Sequence, residues 1–160
     1  APKTYDRAHV MELRPNAPLV QEKAPIQRKG SVSVKALMDS FDAAITDYSS
    51  ETRKAQEYIL GLSEFFRDKF RVAWGERLDL HISRFVPVNI AAGGSLGESL
   101  DHIIATRVLQ KIKGKHSIQV DALEELAERL TETWIDKKPG HGPDRTLETI
   151  AEEISELRLG

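Results

Sequence analysis

"GESLDHIIATRVLQKIKG", residues 97–114, decides how this chain folds. Leu100, Ile103, Ile104, Val108 and Ile112 recur at three- and four-residue steps, the spacing that lays an apolar stripe along an α-helix. Just upstream, Ser95 and Glu98 make the S-x-x-E pattern of a capping box, in which each side chain satisfies a free backbone N–H of the new helix. Gly114 supplies the left-handed residue that commonly ends one.

The same period continues on both sides. From about Glu51, Tyr58, Ile59, Leu62, Phe65, Phe66 and Phe70 fall in helical step. A second, shorter helix is expected from about Gly75 to Val86, with Trp74, Leu78, Ile82 and Phe85 inward. Pro87 is expected to end it soon after, because its ring cannot continue the hydrogen-bonded ladder. "NIAAGGS" then reads as a loop. Downstream, Leu123, Leu126, Ala127, Leu130 and Trp134 mark another helix, which "DKKPGHGPD" breaks. Leu147, Ile150, Ile154 and Leu157 mark the last. About five amphipathic helices joined by short loops predict a mainly α, bundle-like or orthogonal domain.

The beginning of the chain is different. "AHVMEL", residues 8–13, alternates well enough to be a short strand. "RPNAPLVQEKAPIQRKGS", residues 14–31, places three prolines and a glycine among polar residues and reads as an extended loop or linker. "VSVKALMDSFDAAI", residues 32–45, is ambiguous: an extended start that becomes helical near Lys35.

Composition bounds the function. With 160 residues, 40% apolar and 30% charged, the chain can bury one good core and has a globular balance. It has no cysteine, which excludes disulfide scaffolds and cysteine-based zinc or redox chemistry. No apolar run reaches the roughly 18–20 residues that a membrane-spanning helix needs, so no membrane partner and a cytoplasmic location are expected. The net charge of −2 is unevenly spread: residues 1–35 hold seven Lys/Arg against three acids, and residues 121–160 hold five against eleven. A basic first segment suits nucleic acid, phosphate or an acidic neighbour, and equally a solvated loop. It lacks the dense basic patch with interleaved aromatics of a strong nucleic-acid site.

No complete active site is written in the sequence. His9, His81, His102, His116 and His141 share no metal-ligand spacing, so they read as surface or boundary residues and no metal site is expected. No serine sits in a G-x-S-x-G setting. "AAGGSLGES" faintly suggests a phosphate cradle, but it lacks the G-x-x-x-x-G-K-[ST] order, and the capping box already accounts for Ser95. A loop-to-helix junction is the better reading.

Three stretches together resemble a known family. "PKTYDRAHVMEL" (residues 2–13) is similar to the segment after the sensor-1 strand in AAA+ ATPases of the methylcytosine-restriction (McrB-like) type, often close to S-P-K-V-L-D-R-A-x-V-I-E-F. "FRVAWGERLDLHISRFV" (residues 70–86) resembles the lid helix of those proteins, where an aromatic-rich lead-in precedes Y-R-V-x-x-E-I-x-x-Y. "GESLDHIIATRVLQKIKG" resembles their E-A-L-D-x-x-I-x-x-K-V-L-P-K-L-x-G helix, with Glu98, Leu100, Asp101, Val108, Leu109 and Gly114 in place. The chain departs from the pattern at Gly75 and Glu76, where a Tyr-like residue is usual, and at Gln110, where a proline is usual.

The resemblance implies a C-terminal piece of such an ATPase. Residues 1–30 would be the end of the α/β core, a strand and linker, and residues 31–160 the helical lid. The parent would use ATP or GTP with Mg²⁺, work as a homo-oligomeric ring, and serve remodelling or DNA restriction with a nuclease partner and DNA. This chain alone, without Walker motifs, would hold no nucleotide and turn none over. By motif position Arg7 matches the arginine finger that reaches a neighbour's nucleotide, and Arg77 matches the sensor-2 arginine that contacts the nucleotide phosphate in its own subunit. A positioned arginine stabilises charge developing on the γ-phosphoryl oxygens. On the residues alone, Arg7 is equally a partner for Asp6, and Arg77 an exposed residue on an amphipathic helix. The alternative from another class is a non-catalytic helical interaction module, associated with nucleic acid through its basic first segment.

Overall fold

The apolar stripe of residues 97–114 needs walls, and the chain supplies them from both directions. The computed structural model describes residue 31 and residues 33–113 and 118–159. In them the order is α1 (Val34–Asp47), α2 (Ser49–Phe70), α3 (Glu76–Ala91), α4 (Leu96–Ile103), α5 (Val120–Thr133) and α6 (Asp144–Leu159). A wide π turn at Ile104–Val108 and a 3₁₀ turn at Leu109–Lys111 prolong α4. The protein is mainly helical, and no strand occurs among the described residues. The strand expected at residues 8–13 lies outside them, as do Arg7, His9, Gly114 and His116.

α4 and its continuation form the centre. Leu100, Ile103, Ile104 and Val108 are fully buried, and no residue from Ser99 to Lys113 is exposed. Ile59 and Phe66 of α2, Ile82 and Val86 of α3, Leu126 and Leu130 of α5 and Ile150 of α6 complete the core. The single stripe read from the sequence therefore understates the burial, because Ser99, Ala105, Thr106, Leu109 and Gln110 are buried as well, with Asp101, His102, Arg107, Lys111 and Lys113 half-buried. The buried Ser99, Thr106 and Gln110 side chains are satisfied close at hand, as burial demands. Ser99 Oγ donates to Ser95 O at 2.7 Å and accepts from Asn89 Nδ2 at 2.9 Å. Thr106 Oγ1 donates to His102 O at 2.7 Å, and Gln110 Nε2 to Ala105 O at 3.4 Å.

Residues 32–45 become helical next to the expected Lys35: α1 starts at Val34, with the extended Ser33 as N-cap accepting from the Ala36 N–H at 3.4 Å. That makes six α-helices rather than five. Pro87, expected to end α3, lies inside it and is buried. Proline removes one donor to the carbonyl four residues back, yet burial of Val86 and Pro87 on the core side holds the helix together beyond it. The terminator is Gly93, with φ +100°. Gly94 N–H donates to Asn89 O and Gly93 N–H to Ile90 O, the paired bonds of a Schellman cap.

Carboxylates on neighbouring segments tie helix starts together. The capping box forms as expected: Glu98 N–H donates to Ser95 Oγ at 3.1 Å and Ser95 N–H to Glu98 Oε2 at 2.7 Å. Asp101, on α4, accepts from the Arg145 and Thr146 N–H groups at 3.0 and 2.7 Å, capping α6 from another helix. Asp136 Oδ2 accepts from the Gly97 N–H at 3.2 Å and lies 3.0 Å from His141 Nδ1. Position 97 must be glycine because a Cβ there would run into the His141 carbonyl oxygen and the Asp136 side chain. Trp134 Nε1 donates to that same carbonyl at 2.7 Å, so the break between α5 and α6 is strapped onto the start of α4.

Leu100, fully buried at the centre, gives the direct test of this packing. Leu100→Ala should lower the unfolding free energy by about 2–5 kcal/mol in a denaturant titration. An unchanged midpoint would remove α4 from the core.

Candidate functional site

α2 ends in a left-handed residue that is not glycine. Arg71 has φ 54° and ψ 40°, and its N–H closes on Arg67 O and Phe66 O. The chain reverses there, buries Val72, and sets Trp74 against Phe66 with ring centroids 5.2 Å apart. Gly75 is then the N-cap of α3 and has no side chain with which to cap it. Arg77 therefore sits exposed on the first turn of α3, where uncapped N–H groups carry the positive end of the helix dipole. Glu76 and Asp79 share that turn and offset part of the positive field.

This is the only sequence-predicted site residue that the described residues contain. Arg7 lies outside them, so the two arginines are not brought together here. Three histidines are half-buried boundary residues, as expected. His81 stacks on Phe85 at 5.4 Å and 19°, and Phe85 stacks on His102 at 5.0 Å and 23°. Arg145 Nη1 reaches His102 Nδ1 at 3.3 Å. Sequence reading missed this column because His102 joins it from a different helix; only the four-residue step from His81 to Phe85 was legible. No group of His, Asp and Glu among the described residues could hold a metal ion.

The glycine-rich stretch is a junction. The N–H groups of Ser95, Gly97 and Glu98 already donate to Glu98, Asp136 and Ser95 side chains, which leaves that helix start occupied by the protein's own acceptors.

A second surface feature lies further along α3. A groove of about 770 Å³ runs between α1 and α3, with Met38, Phe41 and Ile45 on one wall and Phe85 and Val88 on the other. Sequence reading gave it no place because the helical status of residues 32–45 was undecided. Among the described residues no helix is long and apolar enough to cross a membrane. Two acids of α5 are paired, Glu125 with Lys69 at 2.5 Å and Glu124 with Arg158 at 2.7 Å.

Asp136 gives the junction a pH dependence. Burial pushes its carboxyl up, but the Lys138 and Gly97 N–H groups and His141, by hydrogen bond and by charge, outweigh that and hold it below its ordinary 3.8. A carboxyl that ionises more readily folded than unfolded contributes its stability in full above 3.8. That contribution disappears as pH falls through the lower folded value. Asp136→Asn should therefore melt lower than the parent chain at neutral pH, with the difference shrinking at strongly acid pH. A constant difference across the titration would separate Asp136 from the acid response.

Arg71 offers a stability test of the turn that presents Arg77. A left-handed conformation costs an L-residue roughly 1–2 kcal/mol that glycine escapes, offset in part by glycine's greater unfolded freedom. Arg71→Gly should raise the melting temperature or leave it level, and a marked fall would mean that the Arg71 side chain itself supports the turn. Comparison with protein-family models, with curated proteins and with solved structures returns no match for this chain.

Proposed function

We propose that this chain is the lid-and-linker part of an AAA+ nucleoside triphosphatase of the McrB-like type. The placement of Arg77 carries the reading. An arginine that matches the sensor-2 position lies exposed on the first turn of a helix whose N-cap offers no side chain, where the helix dipole favours an anion against the charges of Glu76 and Asp79. The phosphate of a nucleotide bound by an upstream core is the anion this reading assigns to it.

On this reading the α/β core, with its P-loop and Mg²⁺-holding acids, lies upstream of residue 1. ATP or GTP binds there, and Arg7, after the last core strand, serves the neighbouring subunit's nucleotide in a ring. The helical domain couples the state of the nucleotide to a remodelled partner, with a nuclease and DNA as the partners the family resemblance suggests. DNA would have to meet some face other than that of α5 and α6, whose carboxylates oppose a phosphate backbone.

The second reading, a non-catalytic helical interaction module, draws on the exposed apolar residues of α1. A P-loop upstream in the same reading frame separates the two.

The decisive measurements use the parent protein. Arg7→Ala should leave nucleotide binding nearly intact and cut turnover by about 10³-fold or more, as loss of an arginine finger does. Lysine should rescue poorly, because a point charge lacks the planar fork that engages phosphate oxygens. Mixed assemblies should recover activity where a wild-type subunit supplies its arginine to a mutant neighbour. Arg77→Ala should lower turnover within each mutant subunit, without rescue from a neighbour. Normal hydrolysis by both variants would end the ATPase reading.

A further inference from the structure

α1 carries an apolar seam that its neighbours leave half open. Of its 14 residues only Ala44 is buried, while Val34, Met38, Phe41 and Ile45 are 76, 54, 37 and 39% exposed. Those four recur at steps of four, three and four residues, the spacing along which two helices pack side by side. Met38, Phe41 and Ile45 also form one wall of the groove, and Phe85 and Val88 of α3 form the other. Apolar side chains gathered on one exposed face mark a contact surface.

We infer that this face is a homodimer interface, in which α1 of one copy lies antiparallel on α1 of a second copy of the chain. The inference does not depend on the ATPase reading, because it needs no nucleotide and no other part of a parent protein.

Charge selects the occupant. The α3 wall of the groove bears His81 and Arg84 and no acid. It therefore favours an amphipathic helix with more acid than base. α1 is such a helix, with Asp39, Asp42 and Asp47 against Lys35, and its seam is free to meet a copy. α5 and α6 are acidic too, but their apolar faces are spent in the core.

The seam also sets the direction. With Met38 opposite the partner's Phe41, Val34 falls opposite the partner's Ile45, and the two-fold axis repeats both contacts. At about 100° per residue, Lys35 and Asp42 share one edge of the seam, whereas Asp39 and Asp47 turn away from it. Asp39 is in addition held by Lys35 of its own helix at 2.6 Å. Antiparallel packing lays the Lys35–Asp42 edge against its own reverse, so Lys35 comes beside the partner's Asp42 and Asp42 beside the partner's Lys35. Parallel packing would turn that edge toward the partner's Leu37 and Ala44, pairing no opposite charges and aligning the helix dipoles. The patch is one short helix long, about 21 Å at 1.5 Å per residue, so the dimer forms at high chain concentration and dissociates on dilution.

The chain has no cysteine, so an introduced thiol reports its own neighbours. A Val34→Cys chain mixed with an Ile45→Cys chain should give, on oxidation, a disulfide between the two in preference to either variant linked to itself. Met38→Asp should weaken dimerisation in sedimentation equilibrium by roughly tenfold or more. Its helix content should be unchanged, because the Met38 side chain is already half in solvent. A wild-type chain that stays monomeric at its highest soluble concentration overturns the inference. So does self-linkage as ready as cross-linkage, or a Met38→Asp chain that folds and dimerises like the wild type.

Discussion

A helix buried along most of its circumference sets the terms for everything around it. Over Ser99–Lys113 the apolar residues are buried and Asp101, His102, Arg107, Lys111 and Lys113 are half-buried, so neighbours must close on it from several sides and its buried polar groups must find partners nearby. α2, α3 and α6 all touch α4, and α5 closes the core through Leu126 and Leu130. Asp101 shows how tightly the requirement binds: a carboxylate on the central helix caps the start of α6 instead of reaching water. Asp136 returns the favour at the other end of the sequence, capping α4 from the break that follows α5. Each cap fixes a helix start with groups far away in the chain, so the order of helices and their relative placement are coupled.

The core was legible because burial leaves a periodic mark. Phe66, Leu78, Ile82, Leu100, Ile104, Val108, Leu126 and Leu130 all fall on helical steps, and all are buried. Local capping chemistry was legible for the same reason that it works: Ser95 and Glu98 are three residues apart and answer each other. The failures share a cause. Pro87 acts on its own helix as expected by withholding an N–H, but the burial that sustains α3 past it comes from residues distant in sequence. Gly93, not Pro87, carried the stop signal. The role of Gly97 was invisible because only the approach of the His141 carbonyl forbids a Cβ there.

Function was written in a different register. Arg77 has no periodic signature; it drew notice only through the likeness of its surroundings to a family pattern. What the fold adds is the setting of Arg77, exposed on the first turn of a helix whose glycine cap has no side chain, with Glu76 and Asp79 on the same turn. The turn that presents it includes Arg71 in a left-handed conformation, held by Val72 and Trp74 packing on the end of α2. Strain of this kind persists only where neighbours over-determine it. Here the packing that stabilises the turn is the packing that aims α3, so the position of Arg77 is inherited from the core.

α1 stands at the opposite extreme. It buries one residue fully, whereas α2 buries seven, and an element with few buried contacts opens at lower free energy than the global unfolding. Anything that covers the groove only while α1 is in place stabilises α1 by mass action. α1 rests chiefly on α3, the helix whose first turn carries Arg77. Under the ATPase reading, nucleotide contact at the start of α3 and the packing of α1 along its flank act on the same element. The weakest helix would then be the one that responds to the nucleotide site, because a well-buried helix such as α4 has no alternative arrangement within reach.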